Sequence, residues 1–83
     1  MSNQWHVYMV ECADGTLYSG ITTDLDRRIS EHNDSVKGAK YTRAKRPVRL
    51  VYSEQYLDRS TASKREYELK QLSREEKKEL FAR

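Results

Sequence analysis

Trp5-His6-Val7-Tyr8-Met9-Val10-Glu11-Cys12-Ala13-Asp14-Gly15-Thr16-Leu17-Tyr18-Ser19-Gly20-Ile21 is the stretch that decides the fold. From Trp5 to Glu11 the side chains alternate, with Trp5, Val7 and Met9 on one side and His6, Tyr8 and Val10 on the other. A period of two in residues of this kind is a strand and fits a sheet apolar on both faces. Asp14-Gly15 marks a tight turn. Thr16 to Ile21 then reads as the returning strand of an antiparallel hairpin, with Leu17–Ile21 in the sheet.

Beyond the hairpin, Thr23-Asp24-Leu25-Asp26 resembles a capping box that opens a helix running to about His32 or Asn33. At 100° per residue Leu25, Arg28, Ile29 and His32 share the inward face, while Arg27 and Glu31 point away. Asn33 to Arg46 reads as a loop, and Pro47 suits the start of a third strand, Val48–Ser53, with Val48, Leu50 and Tyr52 on one face. Asp58, Ser60 or Thr61 can cap a second helix reaching about Leu72, whose inward face carries Ala62, Glu66, Leu69 and Ser73. Ser73-Arg74-Glu75-Glu76 is a second capping-box match, opening a short polar helix. The order ββαβαα specifies an α+β domain: a small three-stranded, largely antiparallel sheet covered by helices.

Composition narrows the class. The chain has 83 residues, which suit one domain, and a single cysteine, Cys12, which excludes an internal disulfide framework. No apolar run approaches the ~20 residues of a membrane span, and the first residues lack the features of a signal peptide. A small cytoplasmic domain is the expectation. The net charge of +3 is unevenly distributed. Lys37, Lys40, Arg43, Lys45, Arg46 and Arg49 fall within thirteen residues that contain no acid, with Tyr41 among them as a possible stacking ring. A field so concentrated attracts polyanions, so nucleic acid is the expected partner, held by its backbone through Lys37, Lys40, Tyr41, Arg43, Lys45 and Arg46. A solvated loop kept soluble by its lysines is the plainer alternative.

Four polar residues fall on inward or sheet-facing positions: Tyr8, Tyr18, Arg28 and Glu66. An inward arginine and an inward glutamate need a reason, because a buried unpaired charge is expensive. They pair with each other, their stems snorkel to solvent, or they build a site.

The ordered set is more specific than its parts. His6-Val7-Tyr8, Tyr18-Ser19-Gly20 ten residues later, Arg28 after ten more, His32 one helical turn beyond, and Glu66 on the later helix together resemble the GIY-YIG nuclease domain. The resemblance spans Trp5 to about Arg74. It looks most like the small stand-alone bacterial members, whose segments resemble Asp14–Leu25 and Lys37–Thr42 here.

The resemblance implies a metal-dependent endonuclease that cleaves DNA phosphodiester bonds, in repair or recombination. Glu66 would be the only protein ligand of one magnesium or manganese ion. Tyr8 and Tyr18 would position or deprotonate the attacking water, Arg28 would hold the phosphate, and His32 could be base, acid or partner to a tyrosine. Gly20 would leave room where its strand passes the site. A partner protein could supply substrate choice. The other functional readings are a nucleic-acid-binding module without catalysis and an interaction protein with a retired site. Three departures stand out: His6 replaces the glycine of the first motif, Ile21 follows Gly20 where repair-type members carry lysine, and the late asparagine of many members has no match.

Overall fold

A computed structural model describes residues 4–34 and 44–81. The expected order holds: strands β1 (Trp5–Glu11) and β2 (Leu17–Thr22), helix α1 (Leu25–Asp34), strand β3 (Arg49–Tyr56), and helices α2 (Arg59–Gln71) and α3 (Arg74–Glu79). The strands form one antiparallel sheet in the order β2-β1-β3. β1 is central, as its two apolar faces require.

The hairpin turn is built from local chemistry. Gly15 donates to the Cys12 carbonyl, Cys12 donates to the Thr16 carbonyl, and Gly15 has a φ of +85°, where a side chain would be strained. The Asp14 carboxylate accepts from both the amide and the hydroxyl of Thr16. This turn sets the register that places Tyr8 opposite Gly20 and Val10 opposite Tyr18.

Two apolar clusters follow from the alternation of β1. Val7 and Met9 pack with Ala62 and Leu69 of α2, with Leu72, Leu80 and Phe81 at the margin. Tyr8 and Val10 pack with Cys12 and Val48 on the opposite face, beneath Leu25 and Ile29 of α1. Each fully buried Val, Leu or Met stabilises a fold this size by roughly 1.5–3 kcal/mol.

The helix ends refine the expectations. Asp24, not Thr23, caps α1, since its carboxylate accepts from the Arg27 amide, and Thr22 supports the turn through the Asp24 amide. Asp58 caps α2 by accepting from Thr61 at 2.7 Å. The capping box of Ser73 and Glu76 is complete. Ser73 therefore belongs to the start of α3 and is exposed, rather than lying on the inward face of α2.

β3 corrects the simple alternation. It runs three residues beyond Ser53, and its register with β1 slips between Met9, opposite Tyr52, and Val10, opposite Leu50. Val51 is the extra residue of a bulge. Past it the faces exchange, so Tyr52 joins Val51 on the α2 side instead of sharing a face with Val48 and Leu50. Glu54 then meets Arg65 of α2 at 2.9 Å and accepts from the hydroxyls of Tyr52 and Tyr56, tying β3 to that helix.

Ser19, in β2, is poorly served. Ser19 is 3% exposed, and its hydroxyl has no hydrogen-bond partner among the described residues. A buried unmade hydrogen bond costs about 1–3 kcal/mol. Ser19→Ala is therefore expected to hold or raise stability, by about 1 kcal/mol in urea unfolding; a clear loss would mean the hydroxyl is bonded after all.

Candidate active site

The site grows from the hairpin register. Tyr8, Val10, Tyr18 and Gly20 share the sheet face that looks toward α1. Tyr8 is 1% exposed, and its ring occupies the space a side chain at position 20 would take: a methyl group built on Gly20 would lie 2.5 Å from the Tyr8 hydroxyl oxygen and 2.7 Å from the ring carbon bearing it. The room expected at Gly20 is thus room for one particular ring.

α1 brings His32 onto that ring. His32 is fully buried, and its Nε2 lies 2.8 Å from the Tyr8 hydroxyl. Its imidazole stands edge-on between two tyrosines, with ring centroids 5.8 Å from Tyr8 and 5.5 Å from Tyr18. Burial, with the positive charges of Arg28 and Arg46 behind it, depresses the His32 pKa to about 4 against the opposing pull of Glu31. Burial also raises the Tyr8 pKa, with the Arg28 guanidinium pulling the other way. At neutral pH the pair is therefore a protonated phenol and a neutral imidazole. With the imidazole proton on Nδ1, Nε2 accepts from the Tyr8 hydroxyl, whose oxygen Arg28, a donor only, can also meet.

The charged residues take partners that differ from a simple inward pair. Arg28 binds Glu31 at 2.9 Å, and Glu66 lies 3.6 Å from Lys70. Of the alternatives open to these two charges, mutual pairing is not the one taken: each forms a local helical pair. Glu31, assigned to the outer face of α1, instead turns back and is only 22% exposed at its side chain. Glu66 shares that 22% exposure, and its negative charge reaches the Tyr8 phenol. Arg65, the preceding residue, is held on the other flank of α2 by Glu54. A rotation of 100° between neighbours then turns Glu66 away from β3.

A strap that the sequence did not reveal holds His32 in place. Asn33 uses its carboxamide at both ends, donating to the Val48 carbonyl at 3.0 Å and accepting from the Val48 amide at 2.7 Å. Arg46 donates to the backbone carbonyls of Glu31 and His32. A polar residue at a helix end carries no signal of such a partner, because Val48 is brought there only by the fold. Lys45 likewise pairs with Asp14 at 3.2 Å. Of the six residues expected to meet nucleic acid, Lys45 and Arg46 make these contacts within the fold, while Lys37, Lys40, Tyr41 and Arg43 lie outside the described residues.

Tyr8, Tyr18, Arg28 and His32 are thus brought together, with Glu66 within electrostatic reach. Residues 4–79 match the model of the GIY-YIG catalytic domain. The chain belongs to the GIY-YIG family. Its similarity runs to UPF0213 proteins: 66% identity over 76 residues with that of Desulfotalea psychrophila, covering 92% of this chain and 69% of the other. With the UPF0213 protein of Halobacterium salinarum the identity is 54%, covering 92% and 97%. The solution structure of a UPF0213 protein from Bacillus halodurans is similar at 49% identity and a TM-score of 0.58, covering 93% of this chain and 81% of that one. A protein from Enterococcus faecalis (E. faecalis) matches at 38% identity and a TM-score of 0.61, covering 96% and 88%.

No group of three or more metal-ligating side chains occurs among the described residues of this GIY-YIG domain. That donor set does not suit zinc, which takes three or four protein ligands. A single half-buried carboxylate suits magnesium, which keeps most of its waters and leans on substrate phosphate.

The His32 shift has a measurable consequence. The unfolded chain binds a proton at His32 near pH 6.5, whereas the native state resists it down to about pH 4. Its contribution is therefore complete above pH 6.5 and lost as the pH falls toward 4, by as much as about 3 kcal/mol. Urea midpoints at successive pH values between 7 and 4 should show this decline, and a flat profile would contradict a buried neutral imidazole.

Proposed function

We propose that this domain is a metal-dependent endonuclease acting on DNA. The observation that carries the reading is the Tyr8–His32 hydrogen bond, in which a neutral imidazole meets a buried phenol beside a guanidinium. Tyr8 alone, with its pKa raised, is a poor base. Coupled to His32 it would take a proton from water while its own proton passes to Nε2, with the negative charge of bound phosphate offsetting the low basicity of His32, so no free phenolate need form. Arg28 would bind the scissile phosphate and oppose its developing charge. Tyr18, against the other edge of His32, would orient the water and hold the imidazole.

Glu66 would hold one magnesium or manganese ion, which when bound supplies polarisation of the phosphate and stabilisation of the leaving oxygen. The basic Lys37–Arg43 stretch, which follows α1 in the sequence, would bind backbone phosphate. The function is tested with supercoiled, single-stranded and branched DNA in magnesium and in EDTA. Cleavage of at least one substrate in magnesium alone is expected. Binding without cleavage on all three, unchanged by metal, would favour a binding module instead.

A further inference from the structure

The sheet face that carries Tyr8 is covered unevenly. Around Val10, Cys12 and Val48 it is closed by Leu25 and Ile29 of α1. Further along the strands it opens: Ser53 stands opposite Tyr8 and Gln55 opposite His6, and both β3 residues are exposed. The neighbouring Glu54 turns to the other face, where Arg65 holds it, so no acid interrupts the strip.

His6 is the centre of this strip. It is half-buried between Thr22 on one side and Gln55 on the other. The Thr22 hydroxyl is engaged by Asp24, and His6 Nδ1 is buried with no hydrogen-bond partner among the described residues. A buried nitrogen left unpaired is a stability cost. The first motif that His6-Val7-Tyr8 resembles has glycine at this position, so the hairpin has no need of an imidazole there. With Nδ1 enclosed, Nε2 is the ring nitrogen left to meet a ligand.

We propose that His6, Ser53 and Gln55 form a subsite for the nucleic-acid strand, holding the nucleotide next to the one whose phosphate Arg28 would bind. The inference rests on the nuclease reading above. Phosphate and sugar oxygens accept hydrogen bonds, and an imidazole N–H, a hydroxyl and a carboxamide are donors that match them. The strip carries no Lys or Arg, so it holds the strand by hydrogen bonds rather than by releasing counterions.

That distinction supplies the test. The full chain in EDTA is titrated with a labelled single strand and its duplex at several salt concentrations. His6→Phe and Gln55→Ala should each raise Kd about 3- to 10-fold, the loss of one net hydrogen bond, with the salt slope unchanged. Charge reversal at Lys40 and Arg43 should instead weaken binding and flatten the slope. His6→Phe, which fills the same space without the unpaired nitrogen, should melt no lower than the parent chain. Should it fail to fold, Gln55→Ala on the exposed edge strand decides. Parent-like binding by Gln55→Ala and by a folded His6→Phe, with loss on Lys40 and Arg43 reversal, overturns the subsite and leaves the nuclease reading intact. No binding of either DNA by the parent chain overturns that reading and the subsite with it.

Discussion

Glu66→Gln is expected to reduce metal-dependent cleavage by about 1000-fold or more while the melting temperature in EDTA stays within a few degrees of the parent chain. Removing a metal ligand withdraws several kcal/mol of transition-state stabilisation, and each 1.36 kcal/mol is tenfold in rate. The stability side follows from the partners of Glu66. Its ion pair is with Lys70, one turn along the same helix at 3.6 Å, and the lysine is 51% exposed. A pair of that kind is worth about 0.3–0.5 kcal/mol. In a domain of this length that amounts to about 1–4 °C. A Glu66 buried against Arg28 would behave otherwise, because breaking a buried pair costs about 3–5 kcal/mol and more than about 12 °C. A thermal melt in EDTA therefore separates the two roles before any substrate is known. A drop of that larger size would remove Glu66 as a metal ligand. Arg28→Ala should likewise abolish cleavage and keep the fold, since the ion pair it loses, to Glu31, lies on the same helix.

Gly20→Ala tests the site from the opposite side, by adding one methyl group. That carbon would lie 2.5–3.0 Å from three atoms of the Tyr8 ring, closer than carbon atoms approach without displacement. Tyr8 cannot swing into solvent, being 1% exposed and bonded to His32. The ring must shift within a packed core, at a cost of roughly 1–3 kcal/mol. The melting temperature should fall by about 4–8 °C for each kcal/mol. Activity should fall further than stability does, because the shift breaks the Tyr8–His32 bond on which the proposed chemistry depends. Tyr8→Phe in the same chain removes the nearest of the three atoms and should recover part of the lost stability, so the two substitutions are non-additive. Additive effects would show that Gly20 matters for its backbone rather than for the space above it.

Much of this architecture is written in local pattern. The alternation from Trp5 to Glu11, the Asp14-Gly15 turn, the caps at Asp58 and Ser73 and the 100° spacing of Leu25, Ile29 and His32 each depend on residues a few positions apart. Short-range sterics and hydrogen bonds decide such features, and they read directly from the chain. Tyr8, Tyr18, Arg28, His32 and Glu66 were recognisable for the same reason, as polar side chains at positions whose period points inward.

Their partners were not recognisable, because partners are chosen by distance in space. The bulge at Val51 moves Tyr52 across the sheet, and nothing in Leu50-Val51-Tyr52 distinguishes an extra residue from a paired one until β1 lies beside it. Asn33 finds Val48, Arg46 finds the carbonyls of Glu31 and His32, and Glu54 finds Arg65, each across a gap of ten residues or more. Arg28 and Glu66, which an inward period invites to pair, each found a nearer helical neighbour. The sequence by itself determined the hairpin, the helices and the residues of the candidate site. Only the tertiary structure decided that His32 is dry, neutral and bonded to Tyr8, because burial and the nearby charges that set its pKa exist only once α1 lies on the sheet.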